Sequence, residues 1–316
     1  MKNFNQIEFI KKLISFGERQ GKAENDAADF ITNFLTERNI KYFLHNFNTF
    51  IPDIKNSSLI VDGEKIDCYA TSFVSGEFAG NGDIVSSLIP SRYLLDYSNI
   101  NFNPVCSKIS RSNHYFAPSI AVSKNDLSKV MNGTDVKVKV DVEKKEYYSK
   151  NILVGNTKNP NNIIFAHYDS VSIGATDNAS GVSVIMDTII NSEELLEDNL
   201  FIFSGNEELS YDRPFYWGHG FRAFEKDYVG IMRSADSLFV VDCVGNGKPV
   251  ITDDLHICRL AFPIAFIDEL AGKTRIMHAD MNKLFKVYHS ELDDISQLDN
   301  NHLDEASDLL VKELKK

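Results

Sequence analysis

Three short apolar runs constrain this chain more than any other feature: I-I-F-A at 163–166, L-F-I-F at 200–203 and L-F-V-V at 238–241. Each is too short for a helix and has no polar position for a solvent face, which is the pattern of a strand buried on both sides. Between them, Val182, Ile185, Met186, Ile189 and Ile190 recur at helical spacing, and residues 221–224 begin a second apolar helical stretch. Strands alternating with helices predict an α/β fold, a three-layer α/β/α sandwich around a mostly parallel central sheet.

The N-terminal fifty residues fit the same layers. Ile7, Ile10, Leu13 and Ile14 share one helical face, Ala27, Ile31, Phe34 and Leu35 another, and Gly17 and Gly21 mark the break between them. Residues 41–47 read as a strand, and Leu303, Ala306, Leu310 and Leu314 as a closing helix. Residues 51–146 differ, being rich in Ser, Asn and Gly. There Val136, Val138, Val140 and Val142 alternate with polar residues, and 125–132 fits a short helix. This stretch reads as a small, mainly β insert, so the expected catalytic unit comprises 1–50 and 147–316. The alternative is an irregular extension of the main sheet.

The polar residues after the apolar runs carry the chemistry. In open α/β sheets, sites form at the carboxyl ends of the strands. His167 follows the first run, Glu207 and Glu208 the second, and Asp242 the third. In H-Y-D, His167 suits a metal ligand whose second ring nitrogen is oriented by Asp169. Asp177, among the small residues Gly174, Ala175, Ala179 and Gly181, suits a carboxylate bridging two ions, although Asn178 or Ser180 there also fits a helix cap. Of the adjacent Glu207 and Glu208, one suits a ligand and the other a proton carrier free of the ion. A final histidine is needed, and His289 and His278 both have carboxylates nearby. Asp293 and Asp294 are candidates to support His289. Cys243 follows Asp242 directly, and strand alternation would point its side chain to the other face.

Composition narrows the partners. The formal charge is −12, from 33 basic and 45 acidic residues, which argues against a nucleic-acid backbone. No apolar stretch long enough for a membrane span or a signal peptide stands at the N-terminus, so the expectation is a cytoplasmic protein without membrane partners. The four cysteines lack a C-x-x-C pattern and read as free thiols. The oligomeric state is not legible.

With those residues in hand, H-Y-D-S at 167–170, G-A-T-D-N-A-S-G at 174–181 and N-E-E at 206–208 resemble the di-zinc aminopeptidases of peptidase family 28. That group includes bacterial leucyl aminopeptidases, aminopeptidase Y and relatives of glutamate carboxypeptidase II. The resemblance covers the paired N-terminal helices and the chain from about 150 onward. The A-P-S-I-A-V-S stretch at 117–123 makes the insert similar to a reduced protease-associated module. The resemblance implies a zinc-exopeptidase fold, two zinc ions per chain and a peptide substrate cleaved at its N-terminal bond. It assigns His167 and Asp242 to one ion, Glu208 and His289 to the other, and Asp177 to the bridge. Glu207 becomes the general acid/base, Asp169 orients His167, and Y-H-S-E-L-D-D selects His289 over His278. The same phrases are also similar to glutaminyl-peptide cyclotransferases, which use a single zinc, and a catalytically inactive binding relative is a third alternative.

Overall fold

The computed structural model describes residues 4–80 and 83–316; residues 1–3 of the expected catalytic unit and 81–82 of the expected insert lie outside them. Its main sheet has nine strands. The four central ones, in the order Thr274–His278, Ser237–Val241, Asn162–His167 and Asn199–Ser204, are parallel. These include the three apolar runs. Antiparallel strands surround them: Val250–Thr252 on one side and Val136–Gly155 on the other. Within this sheet parallel pairing is confined to these four strands, and the three apolar ones among them carry the site.

Period-two alternation along those strands divides the core in two. Ile164, Ala166, Phe201, Phe203 and Val241 pack with the helices Gln6–Ile14, Lys22–Thr36, Ser180–Asn191 and Asn300–Leu314. Ile163, Phe165, Leu200, Ile202, Leu238 and Val240 pack on the opposite face with Phe221 and Phe224 of the helix His219–Ser234, and with Cys258 and Phe262. Helices on both faces give the three layers. The closing helix begins where the Asp299 side chain accepts the Asn301 N–H, and it buries Leu303, Ala306, Leu310 and Leu314. Truncating a fully buried leucine such as Leu310 to alanine would cost about 2–5 kcal/mol.

The strands Tyr42–Val61 and Val136–Gly155 are each 20 residues long and pair antiparallel from Tyr42↔Val154 to Val61↔Val136. They cross positions 50 and 146 without interruption. Val136, Val138, Val140 and Val142 turn inward with Leu59, Ile66, Ile100 and Ile120 to form a separate apolar core. A second, four-stranded sheet covers it: Tyr69–Ala70, Ser119–Val122, Asn99–Phe102 and Asp83–Ser86. The helix Leu127–Asn132 falls within the expected 125–132. Among the described residues, no helix is long and apolar enough to cross a membrane.

Candidate metal centre

The parallel strands end level, because Ser204 pairs opposite His167 in register. His167 is the last residue of its strand, Asp242 follows Val241, and the turn after Ser204 carries Glu207 and Glu208. His167 Nε2 lies 3.1 Å from Asp177 Oδ1 and 3.5 Å from Asp242 Oδ1. His289 Nε2 lies 3.3 Å from Asp177 Oδ2 and 3.0 Å from Glu208 Oε2. The structure therefore brings His167, Asp177, Glu208, Asp242 and His289 together, with one oxygen of Asp177 toward each imidazole.

Asp177 reaches this position through close backbone packing. Gly174 has φ +60°, and a Cβ there would lie 2.3 Å from the Asp177 carbonyl oxygen. A Cβ on Gly181 would lie 2.4 Å from the Val241 carbonyl oxygen, so the helix Ser180–Asn191 starts against the strand that precedes Asp242. Asn178 ties the two segments. Its Nδ2 donates to the Val241 carbonyl at 2.9 Å, and its Oδ1 accepts the Gly181 and Cys243 N–H groups at 3.0 and 3.3 Å.

Asp169 does more than face His167. Its Oδ1 is 3.4 Å from His167 Nδ1, which also lies 3.2 Å from the Asp169 carbonyl oxygen. The same carboxylate accepts the backbone N–H groups of Glu207 and Glu208 at 3.0 and 2.9 Å. It thereby sets the turn that aims both glutamates. Glu208 points its carboxylate at His289 and accepts the Val171 N–H at 3.3 Å. The Glu207 carboxylate makes no hydrogen bond among the described residues, although the residue is only 8% exposed.

No regular strand delivers His289. It sits at φ +50° in the turn after the helix Met281–Leu284. Its Nδ1 is 3.2 Å from the Arg111 carbonyl oxygen, and its own carbonyl accepts the Arg111 N–H at 3.0 Å. A clamp from residue 111 thus leaves Nε2 to face the carboxylates. His278 makes its ring hydrogen bond to the Ala279 carbonyl instead, at 2.9 Å.

Burial opposes every charge here, and the partners decide the outcome. For His289, the nearby Glu208 and Asp177 outweigh burial and push the imidazole up to about 10. For His167, burial is likewise outweighed by Asp169, Asp177 and Asp242, which raise it well above its ordinary value. Asp177 is held well below the carboxylate range because the two histidines overcome its burial. Burial, opposed by His167, pushes Glu207 well up, and burial, opposed by His289, raises Glu208. The cluster sets five carboxyl groups, those of Asp169, Asp177, Glu207, Glu208 and Asp242, around two imidazoles.

That excess fits a cation. His289 Nε2 is buried and lacks a hydrogen-bond partner among the described residues, although two carboxylate oxygens are close. Ligand atoms of His167, Asp177 and Glu208 lie within 4.8 Å of one another, as do those of Asp177, Asp242 and Cys243. Imidazole and carboxylate donors in such groups suit zinc-like ions.

Several supports carried no legible signal. Arg19 is fully buried and donates to the carbonyls of Tyr168, Ile173 and Gly174 at 2.6, 2.8 and 2.9 Å. Burial lowers its pKa to about 10 against the pull of Asp169 and Asp293. Asp293 supports Asp177 and not His289: it accepts the Thr176 and Asp177 N–H groups at 2.9 and 3.1 Å. Cys243 also departs from expectation. The strand ends at Val241 and Cys243 has φ +56°, so alternation no longer applies and its Sγ returns to 3.2 Å from Asp242 Oδ1.

Comparison with known proteins gives a family match over part of the chain and fold neighbours over nearly all of it. A family model described as Peptidase family M28 matches residues 151–212, the segment that carries His167, Asp169, Asp177, Glu207 and Glu208. No curated protein matches the chain. Among solved structures, the zinc aminopeptidase BSAP of Bacillus subtilis aligns with TM-score 0.68 at 18% identity, over 97% of this chain and 92% of that one. The aminopeptidase of Aneurinibacillus sp. strain AM-1 aligns with TM-score 0.64 at 17% identity, over 97% and 91%. A glutaminyl cyclase of Porphyromonas gingivalis aligns with TM-score 0.53 at 12% identity, over 100% and 99%. The resemblance to peptidase family M28 is therefore carried in sequence by residues 151–212 and in fold by nearly the whole chain.

Proposed function

We propose that this protein is a zinc-dependent aminopeptidase that holds two ions per chain and hydrolyses the N-terminal bond of peptides. The observation that carries this reading is the position of Asp177, whose Oδ1 lies 3.1 Å from His167 Nε2 and whose Oδ2 lies 3.3 Å from His289 Nε2. His167 and Asp242 would hold one ion, Glu208 and His289 the other, and Asp177 would bridge them. When bound, such ions polarise a scissile carbonyl and make water a better nucleophile at neutral pH.

The residues of the chain supply the rest. Glu207 is the general acid/base: its carboxylate takes the proton of the attacking water and passes it to the leaving amine. Its burial and lack of a fixed partner keep it free for that transfer. Asp169 holds Glu207 and Glu208 through their amides and keeps His167 in one orientation. The Phe73, Tyr211, Tyr216 and Trp217 rings pack beside the turn that carries the two glutamates and limit water near it.

Metal analysis of the purified protein, paired with hydrolysis of aminoacyl p-nitroanilides with and without chelator, tests the reading. About two zinc ions per chain and chelator-sensitive release of p-nitroaniline are expected. One ion per chain with cyclisation of N-terminal glutamine would replace it with the cyclotransferase alternative. Bound metal without either activity would leave a binding relative.

A further inference from the structure

We propose that Cys243 is a thiolate ligand of the ion held by His167, Asp177 and Asp242, which makes the two metal positions chemically unequal. This rests on the two-ion reading above. The ligand atoms of Asp177, Asp242 and Cys243 lie within 4.8 Å of one another, with Asp177 and Cys243 buried and Asp242 half-buried. Cys243 Sγ is 3.2 Å from Asp242 Oδ1, and that oxygen is 3.5 Å from His167 Nε2, itself 3.1 Å from Asp177 Oδ1. Tetrahedral zinc with bonds of about 2.0 Å to nitrogen or oxygen and about 2.3 Å to sulfur separates its ligands by roughly 3.3–3.5 Å. Three of the six edges of such a site are seen here, at 3.1, 3.2 and 3.5 Å.

An independent observation points to a cation in the same cluster. Among the described residues the buried Nε2 of His289 has no hydrogen-bond partner, and it lies 3.3 Å from the other oxygen of Asp177 and 3.0 Å from Glu208 Oε2. The backbone also holds Cys243 in place. Its N–H donates to Asn178 Oδ1, its carbonyl accepts the Ala279 N–H at 3.1 Å, and its positive φ turns the side chain to the same side as Asp242. The remaining cysteines stand apart from this donor group among the described residues.

On binding, the S–H bond of Cys243 breaks, its proton leaves to solvent and the sulfur lone pair forms the bond to the ion. A sulfur ligand softens that position and shifts its preference toward zinc over manganese or magnesium. The position without sulfur keeps only nitrogen and oxygen donors.

Cobalt(II) added to the metal-stripped full-length protein reads the ligand directly. The expected result is a near-ultraviolet thiolate-to-cobalt charge-transfer band that is lost in Cys243→Ser and Cys243→Ala, while both variants still bind cobalt, with altered visible bands, and keep the far-ultraviolet circular dichroism of the parent. Visible cobalt bands with no charge-transfer band in the parent would overturn the proposal and leave Cys243 a thiol that donates to Asp242. Failure of the parent to bind cobalt at all would overturn the two-ion reading with it.

Discussion

Asp169 Oδ2 accepts the backbone N–H of Glu208 at 2.9 Å, so a residue expected to orient a histidine also shapes the turn that presents a second ligand. Its other oxygen takes the Glu207 N–H. Asp169→Asn puts an amide donor against one of those N–H groups. We expect metal affinity to fall by about 10–100-fold. Competition with a chromophoric chelator measures it, and unchanged affinity would remove Asp169 from the support of the site.

Glu207→Gln removes the proton carrier and leaves the proposed ligand set intact. The variant should retain the metal content of the parent while kcat falls by about 10²–10⁴-fold. Retained turnover in a metal-replete sample would rule out the assigned role.

Arg19 is the main fastening of the 168–174 loop. Arg19→Met leaves the carbonyls of Tyr168 and Ile173 without their donor, while the Gly174 carbonyl keeps the Ala179 N–H. Each unsatisfied carbonyl costs about 1–3 kcal/mol, so a loss of at least about 2 kcal/mol is expected. Urea unfolding of metal-stripped parent and variant gives the difference. A loss below about 1 kcal/mol would mean that the loop finds other donors.

Asp212 locks the aromatic loop after Glu208. It accepts from Arg222 Nη2 at 2.8 Å and sits 2.6 Å from His219 Nδ1. Burial opposes its charge, but His219 and Arg222 prevail and hold it at about 2. The folded value lies below the unfolded one of about 3.9. Its stabilisation is therefore present above about pH 4 and is lost as pH falls toward about 2. Asp212→Asn should be less stable at neutral pH and should show a flatter acid limb in that window. Parallel unfolding curves at pH 6, 4 and 3 test this, and an unchanged acid limb would contradict it.

Much of the site is legible because local pattern delivers it. A strand of wholly apolar residues must be buried on both faces, and its first polar residue marks its end. That reasoning places His167, Asp242 and the Glu207–Glu208 turn on one edge. Asp177 follows from its small neighbours, which are small because the Val241 carbonyl and the Asp177 carbonyl lie where a Cβ would be. The long strands Tyr42–Val61 and Val136–Gly155 are harder to read. Their inward residues change partners midway, from the helical layers to the second core, and the register shifts between Ile54 and Asn56.

The amino-acid sequence by itself determined the layered α/β fold and the side chains at the carboxyl ends of its parallel strands, because periodicity and burial are local properties of the chain. Only the tertiary structure decided how His289, Arg19 and Cys243 are aimed. His289 is clamped by Arg111, 178 positions away, and Arg19 reaches a loop about 150 residues downstream. Cys243 turns toward Asp242 because its backbone leaves the strand with a positive φ. Those orientations come from hydrogen bonds between segments distant in sequence, and no residue pattern along the chain encodes which distant carbonyl or amide will meet them.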